Sequence, residues 1–454
     1  MKKRVATRSC GTGGWVAVRA LVFAGLALNV ALCAQAQGAT TFPLLDTYSS
    51  KEKGKPLQDH GPDKSTFPAA FTVPVDPLGF SAPGAIYLGE RSALVSLDFL
   101  DEDRLLFTFR VPGLLHRDTT DSNSSDERQI RAVVLALPAG TVAAEALWTV
   151  HDRIRYLWML RDGHFLLRNK DGIELGDANL ELKPYLHFPG PLQWIEMDPS
   201  QQYLVTNSHE PASVEPKPGD VDSPATAQAS MTVDGQKPGV PDTVVRILRR
   251  DNGQVMLVSR VRAAVHLPIN SEGYLESLRG NGDQWIVNDI FFTGGSSIVG
   301  RVNSSCAPTF DFISHREVLV TACENGGHRF LAMALDGRHL WDDMSSDHAI
   351  WPLLTIAPDG SRLARETLMV NHDVSAFSPI DAEDIKGQLV RVIDAATGKI
   401  VLEAPASPPL DAGGNVAFSP SGRRLAVLNA GAIEVYDLPA PAPTADTSKS
   451  QPGR

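Results

Sequence analysis

Side chains able to do chemistry are scattered along this chain rather than gathered in one signature. Groups of acid–base or cationic character in loop-like surroundings are His151, Asp152, Arg153 and Arg155; His187; Glu272; and Asp347 with His348. Imidazole, carboxylate and guanidinium groups brought together could bind a polar ligand or carry protons. None of them sits in a spacing that dictates a reaction. There is no His-Glu-x-x-His, no Cys-x-x-Cys, no phosphate-binding loop and no calcium loop of the EF type. Gly-x-Ser-x-Gly is missing too, and Gly294-Gly295-Ser296-Ser297-Ile298 reads as a plain turn. Asp101-Glu102-Asp103 offers oxygens to a cation, but one turn supplies too few ligands and reads as a solvated hairpin tip. No catalytic set, no metal set and no cofactor is therefore expected.

What positions these groups is a repeat. Near the C-terminus, Asn415-Val416-Ala417-Phe418-Ser419-Pro420-Ser421-Gly422-Arg423-Arg424-Leu425-Ala426-Val427-Leu428 places two alternating apolar runs around a turn. Proline presets φ for the first corner, and glycine accepts the positive φ needed to leave it. Leu353 to Ala364 repeats the shape around Ala357-Pro358-Asp359-Gly360, and Leu192 to Val205 does so around Asp198-Pro199. Hairpins lacking the proline centre on Asp101-Glu102-Asp103, Arg161-Asp162-Gly163, Gly280-Asn281-Gly282-Asp283 and Ser314-His315-Arg316, bringing the number to seven. Several of their spacings lie near the roughly 40-residue period of a four-stranded propeller blade. The longer spacings contain polar or proline-rich interruptions at 112–130, 208–242 and 371–387, which read as surface insertions. No long segment outside the N-terminus carries helical periodicity.

The Phe418-Ser419-Pro420-Ser421-Gly422 and Ala357-Pro358-Asp359-Gly360 hairpins resemble the repeats of WD-like and Tol-system-like propellers. Val392-Ile393-Asp394-Ala395-Ala396-Thr397-Gly398-Lys399 resembles the outer turn of quinoprotein-type propellers. The resemblance implies an all-β, seven-bladed β-propeller of four-stranded antiparallel blades spanning 84–438. It implies no activity, because fold does not fix function. No Gly-His…Trp-Asp signature closes the repeats, and the tryptophan docking pattern of pyrroloquinoline-quinone enzymes is missing. Trp148, Trp158, Trp194, Trp285, Trp341 and Trp351 are spread along the blades and read as packing between them.

In such a ring, the loops entering each innermost strand converge at one mouth of the central channel. They would bring together His151, Arg153, His187, Glu272 and His348 as the candidate binding set. The last blade has three strands before the Pro439-Ala440-Pro441-Ala442-Pro443 tail. Its fourth strand must come from the N-terminal side, and Ala85-Ile86-Tyr87-Leu88 is the expected region.

Residues 1–36 read as a secretory signal. Lys2, Lys3, Arg4, Arg8 and Arg19 are its positive charges, Ala20–Leu32 its apolar stretch and Ala34-Gln35-Ala36 its cleavage site. Removing those five charges takes the net charge from −11 to −16, which disfavours nucleic acid and anionic lipid as partners. Residues 37–83 read as a partly disordered extension and 439–454 as a disordered tail. No integral membrane segment is expected after cleavage.

Of the cysteines, Cys306 and Cys323 stay in the exported chain. If Ile313 pairs with Glu317, the two fall within one residue of facing each other, inside disulfide range. The other reading is two free buried thiols.

Function follows only in outline. The first reading is an exported, periplasmic or extracellular, non-enzymatic scaffold that binds an unidentified protein or small ligand. The alternatives are a propeller hydrolase or lactonase with its site at the channel mouth, and a quinone-type redox propeller.

Overall fold

The computed structural model describes residues 64–83, 93–112, 116–117, 126–151, 154–210, 242–324, 327–345, 352–371 and 382–441. The signal segment, Ala85–Leu88, Arg153, His348 and most of the three expected insertions lie outside them.

Among the described residues, seven antiparallel sheets form a ring, and each runs outward from the channel in chain order. Blade one holds Val95–Phe99, Arg104–Arg110, Asp126–Ala136 and Thr141–Val150, with the short strand His116–Arg117 added to the third. Blade two holds Leu157–Met159, Phe165–Asn169, Gly172–Gly176 and Leu182–His187, and blade three Leu192–Met197, Tyr203–His209, Thr243–Arg249 and Val255–Val261. Blade four has three regular strands, Gly273–Arg279, Gln284–Phe291 and Ser296–Asn303. Blade five holds Thr309–Phe312, Glu317–Glu324, Gly327–Ala334 and His339–Ser345, and blade six Leu353–Ile356, Arg362–Val370, Ile385–Asp394 and Ile400–Ala406. Blade seven holds Val416–Phe418, Arg424–Asn429 and Ala432–Asp437.

The ring closes from the N-terminal side, though not where expected. Phe71–Pro74 is the outermost strand of blade seven, pairing Phe71 with Val435 and Val73 with Ile433. The closing strand thus precedes the expected Ala85–Leu88, and the propeller begins ahead of residue 84. Phe71-Thr72-Val73 alternates only briefly before Pro74, which suits a strand with one side unpaired.

The inner hairpins form because their turns satisfy themselves. In blade six, Asp359 Oδ1 accepts from Ser361 N at 3.0 Å, while Gly360 takes φ +75°. In blade three, Asp198 Oδ1 accepts from Tyr203 N at 2.7 Å. Second strands carry the deepest burial: Leu105, Phe107, Leu204, Val320, Ala364 and Val427 are sealed between neighbouring blades. Seams of this kind supply the core, since apolar area leaves water on both faces of each sheet.

Blade four departs from the repeat. Residues 265–270 take the innermost place irregularly, through the bridge Ile269–Tyr274 and a hydrogen bond from Leu275 N to Pro268 O at 2.9 Å. The Gly280–Asp283 hairpin therefore joins the second and third strands of this blade, not the first and second.

Cys306 and Cys323 are disulfide-bonded, with Cα atoms 5.5 Å apart. The register Thr309–Thr321 through Phe312–Val318 sets them nearly opposite, as the turn at Ser314-His315-Arg316 requires.

Candidate functional site

Antiparallel strands sort every connection onto one of two faces. Turns between first and second strands lie on one, here called the lower face. Crossovers from each outer strand into the next inner strand lie on the upper face, together with the second-to-third connections. The segments left undescribed at 118–125, 211–241 and 372–381 all join second to third strands, in blades one, three and six. Their described ends meet the upper face.

The lower face is laced across the ring. Arg161, in the inner turn of blade two, donates through Nη2 to Pro199 O at 2.8 Å and to Pro358 O at 2.5 Å. Those carbonyls belong to the inner turns of blades three and six, so one guanidinium spans this mouth. The turn of blade one holds that of blade seven: Ser421 N donates to Glu102 Oε1, and Arg424 Nη1 to Glu102 O, each at 2.8 Å.

The expected binding set divides between the faces. His151 and His187 stand on the upper face, both beside the second-to-third turn of blade two. His151 Nδ1 is 2.8 Å from Asn169 Oδ1, and His187, largely exposed, has Nδ1 3.9 Å from Asp171 Oδ1. Glu272 is on the lower face, because residues 265–270, not Gly273–Arg279, form the inner segment of its blade. Its carbonyl accepts from Phe292 N at 2.9 Å, and the neighbouring Asn270 donates to His315 O at 3.2 Å. Glu272 therefore does not share a mouth with the histidines. Arg153 and His348 lie outside the described residues.

The inner strands hold a cluster that the loops do not supply. Glu196 stands on the inner strand of blade three, His266 on the inner segment of blade four, and Asp311 on the inner strand of blade five. His266 Nδ1 is 3.0 Å from Glu196 Oε2, and His266 Nε2 is 2.8 Å from Phe310 O. Leu267 N also donates to Glu196 Oε2, at 3.3 Å. Burial works against a charged imidazole, but Glu196, Asp311 and the Phe310 carbonyl outweigh it and lift His266 to about 10. It is an imidazolium at neutral pH. Burial raises the carboxyl of Asp311; His266 opposes that rise and the negative Glu196 adds to it. Both acids face the same imidazole.

Trp194 completes this group. It lies on the inner strand of blade three with Glu196, its ring edge-on to His266 at 6.4 Å between centroids. Trp148, Trp158, Trp285 and Trp341 are buried in the seams as expected, but Trp194 is 39% exposed. A packing role does not describe it. In blade one, Asp98 accepts from Ser96 Oγ at 2.5 Å. Burial raises its carboxyl to about 6 despite that bond and the charge of Arg155.

These channel residues carry a sequence signal after all: an acid between two apolar residues on an inner strand. Leu97-Asp98-Phe99, Ile195-Glu196-Met197 and Phe310-Asp311-Phe312 share it. Among the described residues, no three His, Cys, Asp or Glu side chains come together as a metal set.

No protein-family model matches the chain, and no curated protein matches it. Solved structures do. TolB from Acinetobacter baumannii is 13% identical over 69% of this chain and 72% of its own, with a TM-score of 0.35. Kluyveromyces lactis Hsv2 is 12% identical over 59% and 67%, with a TM-score of 0.32. Uncomplexed Pyrococcus horikoshii acylaminoacyl peptidase is 12% identical over 77% of this chain and 52% of its own, with a TM-score of 0.44. This chain spans about half of the peptidase's length. The likeness to all three is one of architecture, and the chain is a seven-bladed β-propeller.

Proposed function

We propose that this protein is an exported binding scaffold whose channel, entered from the upper face, receives a basic group of its partner. The observation that carries the reading is Trp194, exposed on an innermost strand two residues from Glu196 and edge-on to His266. An exposed indole attracts a cation over its face. Arg161 across the lower mouth favours entry from the other side. A rigid ring of inner strands limits the ordering cost of binding. The signal-like N-terminus and the single disulfide support export.

The test is a tryptophan-fluorescence titration of the purified mature protein with N-acetyl-lysine amide, using N-acetyl-norleucine amide as the uncharged control. A saturable response to the lysine derivative alone, lost in Trp194→Leu and in Asp311→Asn, is the expected result. Equal responses to both compounds, or none to either, would overturn the basic-group reading. A photo-reactive residue at His187 should capture a partner in cells, while one at Asp162 on the lower face should not. Capture only at Asp162 would overturn the choice of face.

A further inference from the structure

The outer rim of blade three carries an open strand edge. Val255–Val261 is the last strand of its sheet, so one side of its backbone has no ladder partner among the described residues. Val255, Met256 and Val258 are 50%, 44% and 46% exposed. Blade one shows Val142 and Leu147 on its outer strand, and blades four, five and six show Ile298, Met344 and Ile400 singly. No other outer strand among the described residues presents three large apolar side chains to solvent.

Other edges of the ring are blunted. Charge, proline or a covering segment normally discourages a foreign strand. Blade one has Glu145, blade two Lys183 and Pro184, blade five Asp342 and Asp343, and blade seven Pro74. Blade six has Glu403 and Pro405, and Thr66 N donates to Glu403 O at 2.9 Å across its edge. Blade four sets Ser296, Ser297 and Gly300 around Ile298 and Val299. In blade three, Val255-Met256-Leu257-Val258-Ser259 is mostly apolar and contains neither charge nor proline.

Charge marks the two ends of this run. Between Thr243 and Ala263 the chain holds five arginines and one acid, in a protein of 42 basic and 53 acidic residues. Arg249 and Arg250 precede the turn into Val255, and Arg260 and Arg262 stand at the far end. Arg250 Nε donates to Gln201 O at 2.6 Å, and Arg260 Nη1 to Glu210 O at 2.7 Å. Carbonyls satisfy those donors without cancelling their charge. Asp251 pairs with Arg249 at 3.1 Å and Glu210 with Arg246 at 2.7 Å, so the rim stays net positive.

These features select one occupant. The N–H and C=O groups of a sheet edge are matched by another strand, whereas a lipid surface would leave them unpaired. A second copy of this edge would set arginine against arginine. An extended segment with apolar residues at its centre and carboxylates at both ends meets the ladder, the apolar run and the charge together.

We propose that Val255–Val261 is an interaction edge, to which an acidic-flanked apolar segment of a partner protein adds as a further strand of blade three. It is independent of the channel reading.

The experiment titrates the mature protein into a fluorescein-labelled peptide, DEVTVTVED, at low salt and follows its anisotropy. The peptides KKVTVTVKK and DEVTPTVED are the charge and strand controls. The expected result is saturable binding of the acidic peptide, about tenfold or more tighter than either control and weakened about tenfold in Val258→Glu. Val258 is exposed, so that variant keeps its core, and Leu147→Glu on the outer strand of blade one should bind as the wild type does. Amide exchange within 255–261 should slow when the acidic peptide is bound. No binding, equal binding of all three peptides, or binding unchanged in Val258→Glu would overturn the proposal. It would also be overturned by Val258-dependent self-association without peptide, by Val258-dependent attachment to phosphatidylglycerol vesicles, or by peptide binding only after residues 211–241 are removed.

Discussion

Glu196 Oε2 and His266 Nδ1 lie 3.0 Å apart and join the inner strand of blade three to the irregular inner segment of blade four. The consequence is a pH dependence with a definite sign. His266 is lifted from 6.5 to about 10 in the folded protein, so its contribution is complete below about 6.5 and is lost as pH rises through about 10. Tm of the wild-type protein should therefore fall by a few degrees more between pH 7 and pH 10.5 than Tm of His266→Gln. Parallel curves for the two proteins would show that the pair contributes nothing.

The insertion in blade three should be dispensable for folding. His209 pairs with Thr243, and Glu210 N donates to Asp242 O at 2.6 Å, so the strands already meet where the chain leaves them. Arg246 also grips Glu210, at 2.7 and 2.9 Å. Replacing residues 211–241 by a short Gly-Ser turn should keep Tm within a few degrees, as loop length costs little. Loss of cooperative unfolding in that variant would contradict it.

Removing the closing strand should be far more damaging. Val73 and Val75 are buried in one apolar cluster with Leu97, Phe107, Ile433 and Val435. A chain beginning at Asp76 would expose the edge Ala432–Asp437 and open the ring. Its apparent Tm should fall by on the order of 10 °C, with loss of soluble yield, because an unpaired apolar edge aggregates. A truncated protein with unchanged melting would mean that another segment pairs there.

Gly398 is a further point of strict fit. It takes φ +70°, and a Cβ there would come within 2.7 Å of the Trp341 ring, whose Nε1 donates to Ala395 O at 2.7 Å. Gly398→Ala should cost more than about 2 kcal/mol, from the left-handed backbone and the displaced indole together. Chemical denaturation checks this directly, and a cost below about 0.5 kcal/mol would rule out the crowding.

The ring was readable because its turns are local. Pro358-Asp359-Gly360 and Pro420-Ser421-Gly422 encode their backbone angles in residue type, so hairpins can be placed without knowing their neighbours. Blade four broke the frame. His266 and Pro268 interrupt the alternation of its inner segment, so the clear hairpin at Gly280–Asp283 reads one strand too far in, and Glu272 falls on the face opposite the expected one. The channel cluster is nonlocal in another sense: Glu196, His266 and Asp311 come from three successive blades, and periodicity along one strand does not say what faces it. The sequence reads Trp194 as packing between blades. At 39% exposure that expectation no longer applies.

Pairing Phe71–Pro74 with Ala432–Asp437 also sets an order in time. Among the described strands, Phe71–Pro74 is made first and its partner Ala432–Asp437 last. Until then Phe71–Pro74 has no ladder partner, and six blades can assemble without the molecule becoming a ring. An interrupted chain is therefore permanently incomplete, with a sticky strand at each end for chaperones and proteases to find. The closure works as a test of completeness, passed only by chains translated through Asp437.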